Sequence, residues 1–120
     1  VDDIEAVDLD DRGRELRLHP AAGPAGANAN FVARPADPAA PWLIRTFERG
    51  VEGETLACGT GTVAAAVAVA AAGEASLPVA FTSRGGSLLG VTGVIHESQV
   101  RDAWLAGEGR LVFEGQLSGI

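Results

Sequence analysis

The residues best equipped for chemistry lie in one stretch, Arg45 to Ala65, which reads Arg-Thr-Phe-Glu-Arg-Gly-Val-Glu-Gly-Glu-Thr-Leu-Ala-Cys-Gly-Thr-Gly-Thr-Val-Ala-Ala. Its centre is Cys58, the chain's single cysteine. An uncharged run of Ala and Val follows from Thr62, so Cys58 stands just ahead of a helix. The first turn of a helix carries unpaired N–H groups and a partial positive charge, which stabilise a thiolate and a bound carboxylate alike. Cysteines in such settings have pKa values lowered from about 8.5 to roughly 3.5–7.5. Gly59 and Gly61 let the backbone approach a ligand without an intervening Cβ. A lone cysteine in an arbitrary domain is more often a small buried hydrophobe. Here the Gly-Thr-Gly that follows it and the charged loop before it favour a reactive thiol.

Glu48 and Arg49 end the strand that precedes this loop. Adjacent strand residues point to opposite faces, so the two do not bridge each other. They form either an ordinary surface pair or a receptor for a zwitterion, with arginine for a carboxylate and glutamate for an ammonium. Asn28 and Asn30 stand where a loop enters a strand, a common place for turn-forming asparagine. His19 and His96 have no visible partner and read as structural.

Two phosphate-binding readings fail. Gly59, Gly61 and Ala64 fit G-x-G-x-x-A, but the preceding Glu52-Gly53-Glu54-Thr55 is not a buried parallel strand. The acid expected about 20 residues later is also missing, since Thr82, Ser83 and Arg84 occupy that zone. A P-loop needs a lysine, and all nine basic residues are arginine.

The elements that must position Cys58 are mostly short strands. Their apolar patterning places them at Ile4–Leu9, Glu15–Leu18, Asn30–Ala33, Leu43–Phe47, Val79–Thr82, Ser87–Thr92 and Leu111–Glu114. Gly85-Gly86 suits a hairpin turn, and the stretches 20–27 and 35–41, rich in Pro, Gly and Ala, read as loops. One helix spans Thr62–Ala72 and stops at Gly73. It has no polar face, which predicts burial on all sides. Many strands and one wholly apolar helix imply an α+β fold, with a curved sheet wrapped about that helix.

With 120 residues the chain has the size of one domain, and 47% apolar and 21% charged residues suit a globular one. The net charge of −7 argues against nucleic acid or an anionic membrane as partner. Asp2, Asp3, Asp8, Asp10 and Asp11 read as a solvated strand-and-turn surface, because no metal-ligand pattern is completed there. A single cysteine forms no internal disulfide, the N-terminus lacks the pattern of a signal peptide, and the run Val63–Ala72 is too short to cross a bilayer. A cytoplasmic location is the default expectation. The chain contains no methionine, so Val1 is expected to lie inside a longer gene product.

The segment Glu48-Arg49-Gly50 … Glu54-Thr55-Leu56-Ala57-Cys58-Gly59-Thr60-Gly61 resembles the C-terminal active-site motif of diaminopimelate epimerases. Val1-Asp2-Asp3-Ile4, Gly26-Ala27-Asn28-Ala29-Asn30-Phe31-Val32 and Trp104-Leu105-Ala106-Gly107 … Val112-Phe113-Glu114-Gly115 extend the likeness along the chain. The resemblance implies one of two pseudo-symmetric halves, each a mixed sheet curled into a barrel-like layer around a central helix. Residues 1–120 would then be the C-terminal catalytic half. It further implies interconversion of LL- and meso-diaminopimelate, in lysine and peptidoglycan biosynthesis, without pyridoxal phosphate or metal. Two cysteines, one from each half, would act as base and acid on opposite faces of the α-carbon.

By that resemblance Cys58 is one of those thiols, and Gly59 and Thr60 offer backbone N–H groups to the reacting carboxylate. Asn28 and Arg49 bind the distal carboxylate. Glu48 binds the distal ammonium and has a part in setting the thiol's pKa. The second cysteine belongs to the half that this chain lacks, which would be its partner. Gly107-Glu108-Gly109 stands where many relatives carry Gly-Pro-Ala. Other racemases of this fold, proline-racemase-like enzymes among them, share Cys-Gly-Thr-Gly, so Glu48-Arg49-Gly50 is what favours diaminopimelate. Two alternatives stand beside this reading: another cofactor-independent racemase, or a binding module that pairs with itself as a homodimer and brings two copies of Cys58 together.

Overall fold

The computed structural model describes residues 1–119. Along the chain run α1 (Leu9–Arg17), a 3-10 turn (Pro20–Ala22), β1 (Ala29–Ala33), β2 (Trp42–Glu48), β3 (Gly53–Thr55), α2 (Gly59–Ala71), β4 (Val79–Thr82), β5 (Leu88–His96) and β6 (Gln99–Gly107). The class is α+β, as expected. The strands form one sheet in the order β1-β2-β4-β5-β6, with β3 also paired to β2. The β2–β4 pair is parallel, and the other pairs are antiparallel. The path explains this difference, because β2 reaches β4 only through β3 and α2, a crossover that a tight hairpin cannot make.

β2 is buried on both faces and organises the rest. Ile44 packs toward α2 in a core with Ala65, Ala66, Val69, Val79, Phe81 and Val91. Phe47 points to the other face and packs with Leu9, Ala29 and Phe31 beneath α1. Side chains alternate along a strand, so Thr46 and Glu48 share the α2 face with Ile44. Asn30 lies opposite Thr46 in the β1–β2 register and shares that face too. The end of β2, the start of β1 and the head of α2 therefore meet on one side of the sheet.

Four sequence-based strands correspond to β1, β2, β4 and β5, and the Gly85-Gly86 turn joins β4 to β5 as a hairpin. The helix begins three residues earlier than expected, at Gly59. It ends where expected: Gly73, at φ 72°, donates to Ala70 O and Glu74 donates to Val69 O. That bond pair is a Schellman stop.

Other expectations need correction. α2 is not buried on all sides, since Gly61, Thr62, Ala65, Ala66 and Val69 are buried but Thr60, Ala64, Ala68 and Ala71 are exposed. The sheet does not close around it, because β1 and β6 end the strand order unpaired to each other. An open sheet covers one side of a helix only. Strands expected at Ile4–Leu9 and Glu15–Leu18 are absent: α1 takes Leu9 and Glu15–Arg17, and residues 4–8 form a turn and irregular chain. Asp8 caps α1 by accepting from Asp11 N–H, Asp10 and Asp11 lie in its first turn, and Arg14 and Arg17 lie in its last. That charge order suits the helix dipole, and the aspartates serve the helix rather than a strand-and-turn surface. Leu111–Glu114 forms no strand and is exposed. Patterning did not pick out β6, whose Trp104–Gly107 part entered only through likeness to the family's closing strands, nor β3, which read as loop. Glu97 and Ser98 turn the β5–β6 hairpin at φ 49° and 63° without the glycine or asparagine that usually marks such turns. Among the described residues, no helix is long and apolar enough to cross a membrane.

Candidate active site

Cys58 caps α2. Its backbone is extended, at φ −138° and ψ 111°, and its sulfur accepts the Gly61 N–H at 3.3 Å. A serine or aspartate oxygen usually fills this role. The Cys58 carbonyl accepts the Thr62 N–H at 2.9 Å and the Thr62 hydroxyl at 2.7 Å, which ties the cap into the first turn. Thr60 Oγ1 stands 3.6 Å from the sulfur and Asn28 Nδ2 donates to it at 3.8 Å. Hydrogen bonds donated to sulfur strengthen when it carries negative charge. The residue is buried, at 9% exposure.

The glycines around the thiol have steric work of their own. A Cβ on Gly61 would overlap Asn30 Oδ1 and lie 3.2 Å from the Cys58 sulfur. Asn30 is held there by the Thr46 hydroxyl, which donates to the same oxygen at 2.8 Å. A Cβ on Gly59 would meet only the end of Leu105, at 2.8 Å. The N–H groups of Gly59 and Thr60 have no hydrogen-bond partner among the described residues, as expected of a helix start. They form a ready seat for an anion.

An open cleft of about 450 Å³ lies beside this helix start, lined by Gly26, Ala27, Asn28, Glu48, Arg49 and Thr60. Glu48 is half-buried and Arg49 exposed. The Arg49 N–H donates to Asn28 Oδ1 at 2.8 Å, so Asn28 joins the charged turn to the thiol. The structure therefore brings together Cys58, Asn28, Glu48, Arg49, Gly59 and Thr60, the candidate residues read from the sequence. His19 and His96 lie outside the cleft. His19 instead accepts the Ala21 N–H at its own 3-10 turn, and His96 ends β5. A second cleft, of about 490 Å³, surrounds Arg34, Trp42 and Glu74 and contains no residue of the Cys58 segment.

Residues that support the site were missed by sequence reasoning. Arg45 is buried and donates through Nε to Glu54 Oε1 at 2.7 Å and through its NH2 group to Oε2 at 2.9 Å. Its remaining NH1 group reaches the carbonyls of Ile4 and Val7 at 2.9 and 3.2 Å. One guanidinium thus joins β2, β3 and the N-terminal segment. The hydrogen bond from Arg45 holds the Glu54 carboxyl below its usual range, against an opposing effect of burial. Arg84 lies 3.5 Å from Glu54 and also binds Glu5. The Gly85 N–H donates to Leu56 O at 2.8 Å, so the loop is fixed up to two residues before Cys58. The one sequence signal for these contacts was arginine in a strand that otherwise reads as apolar.

A thiol held at a helix start, beside unpaired backbone donors and a glutamate–arginine turn, is equipped to move a proton at a carbon next to a carboxylate. The pattern that defines diaminopimelate epimerases matches residues 1–100. A diaminopimelate epimerase of Gemmatimonas aurantiaca is 40% identical, covering 99% of this chain and 45% of that protein. Those of a Hydrogenobaculum species and of Aquifex aeolicus are 42% and 38% identical, each covering 98% of this chain. The chain belongs to the diaminopimelate epimerase family. It spans 40% to 45% of the length of those three relatives.

Proposed function

We propose that this chain is the C-terminal catalytic half of a diaminopimelate epimerase and supplies one of its two thiols. The observation that carries the reading is that Cys58 adjoins a cleft offering receptors for both ends of a zwitterionic substrate. Thr60, at the helix start whose Gly59 and Thr60 N–H groups are unpaired, lines one cleft with Asn28, Glu48 and Arg49, and Asn28 also donates to the Cys58 sulfur. A substrate with an amino-acid group at each end suits that set of groups. Its reacting carboxylate would sit on the helix start. Arg49 and the free N–H of the Asn28 amide would take the distal carboxylate, and Glu48 the distal ammonium.

In the reaction from LL- to meso-diaminopimelate, a thiolate on the second half removes the α-proton. The electron pair left on carbon spreads into the carboxylate, where the Gly59 and Thr60 N–H groups bind the growing charge. The Cys58 S–H then delivers its proton to the opposite face and becomes a thiolate. One thiol and one thiolate have exchanged roles, and no electrons are gained or lost. In the reverse direction Cys58 is the base. The second thiol comes from outside these 120 residues, whose only cysteine is Cys58. The exposed row Thr60, Ala64, Ala68 and Ala71 of α2 gives the other half a surface to cover. The product serves lysine and peptidoglycan synthesis, and the reaction needs no cofactor beyond the two thiols.

The test is ¹H NMR in heavy water with LL-diaminopimelate and this chain joined to its second half. Loss of the α-proton signal with formation of the meso isomer is expected. Turnover of proline with none of diaminopimelate would overturn the assignment of substrate.

A further inference from the structure

α1 lies outside the motif, yet its last turn touches both loops that line the thiol cleft. The Arg17 carbonyl accepts the Ala27 N–H at 3.1 Å, next to Asn28. Gly26, at φ 68°, passes so close that a Cβ there would lie 2.5 Å from the same carbonyl oxygen. The Arg17 guanidinium binds Glu52 Oε1 at 2.7 Å through Nε and at 2.6 Å through NH2. Glu52 in turn closes the charged turn. Its carboxylate accepts the Gly50 N–H at 3.2 Å, and its own N–H donates to Glu48 O at 2.8 Å. Glu52 stands at φ 58°, a left-handed conformation that residues with a Cβ avoid unless they are held there. The Arg17 side chain is 14% exposed against 47% for Glu52, so the arginine is the fixed member of the pair.

We infer that Arg17 is a positioning residue of the thiol cleft: its carbonyl holds the Asn28 loop, its guanidinium holds the Glu48–Arg49 turn, and together they set how far that turn stands from Cys58. The effect of this on turnover rests on the proposed role of Glu48 and Arg49 as ligands for the far end of the substrate. The Glu52 carboxylate is about half exposed, so screening by water limits what the pair adds to overall stability, and the main consequence is one of geometry.

The variants that test this are Arg17→Met, which keeps the aliphatic stem, Glu52→Gln, and the charge exchange Arg17→Glu with Glu52→Arg. In the complete enzyme Arg17→Met should raise KM for diaminopimelate roughly tenfold with kcat nearly constant, the mark of lost binding at a part remote from the reacting carbon. The charge exchange should restore most of that loss. On this chain alone, amide hydrogen exchange at Arg49 and Gly50 should quicken in Arg17→Met while α2 keeps its protection. It should slow again in the charge exchange. Unchanged KM and unchanged exchange at Arg49 and Gly50 would overturn the inference, and so would equal loss of protection throughout the fold. If the wild-type enzyme ignores diaminopimelate, the proposed function fails, and the amide exchange still decides the role of Arg17.

Discussion

Replacing Arg45 by methionine keeps the aliphatic stem and removes the guanidinium of a side chain that is 10% exposed. Glu54 is left with Arg84 at 3.5 Å, and the carbonyls of Ile4 and Val7 lose their donor. Removing one partner of a buried ion pair costs about 3–5 kcal/mol. The Glu54 side chain is 24% exposed and keeps some water, which reduces the expected loss to about 2–3 kcal/mol. That corresponds to a fall of roughly 6–12 °C in melting temperature.

The pH dependence has a definite sign. Glu54 is held below its usual pKa of 4.5, chiefly by the hydrogen bond from Arg45. A depressed carboxylate contributes stability that is present above the unfolded pKa and lost as pH falls through the folded one. The gap between wild type and Arg45→Met should thus be full at neutral pH and narrow as the medium is acidified below 4.5. The raised pKa of Arg45 acts only in strong alkali and leaves this window untouched. Urea unfolding of this chain at several pH values measures the gap directly. A gap below about 0.5 kcal/mol at neutral pH, where ordinary surface substitutions lie, would refute the pair as the anchor of β3. So would a gap that stays constant into acid.

Gly13→Ala gains about 1 kcal/mol of helix propensity. Its Cβ, however, would lie 2.5 Å from Phe47 Cβ, so calorimetry should show a net loss of about 1–3 kcal/mol. Gly61→Ala collides with an asparagine held by Thr46, whereas Gly59→Ala meets only a leucine tip, so the former should be destabilised by about 1–3 kcal/mol and the latter by under about 1 kcal/mol in the same measurement. Arg49→Ala, at an exposed position, should keep the wild-type unfolding midpoint and bind diaminopimelate more weakly in a calorimetric titration.

The strands that pack against the core were legible because β1, β2 and β4 are short runs containing Val, Ile, Leu or Phe, set off by loops rich in Pro, Gly and Ala. α1 was not, because Leu9 and Gly13 are its buried residues, and a leucine with a glycine leaves no apolar stripe to read. Its ends were written more clearly, in Asp8, Asp10 and Asp11 at the start and Arg14 and Arg17 at the finish. Composition also misled at α2. An alanine is as apolar on an open face as in a core, so Ala64, Ala68 and Ala71 gave no sign that they are exposed. β6 is exposed along nearly its whole length and carries no core pattern.

The candidate site was readable because Glu48, Arg49, Cys58, Gly59 and Thr60 fall in one contiguous motif. Its supports were not. Arg17 and Glu52 are 35 residues apart, and Arg84 and Glu5 are 79 apart, so only the fold brings each pair together.

Stereochemical turnover by the Cys58→Ser variant of the complete enzyme bears most directly on the two-thiol account. In heavy water, wild-type enzyme given LL-diaminopimelate should form the meso isomer with solvent deuterium at the inverted carbon. Cys58→Ser, folded as judged by circular dichroism, should form none. Meso product from that variant at the wild-type rate would remove Cys58 from the mechanism.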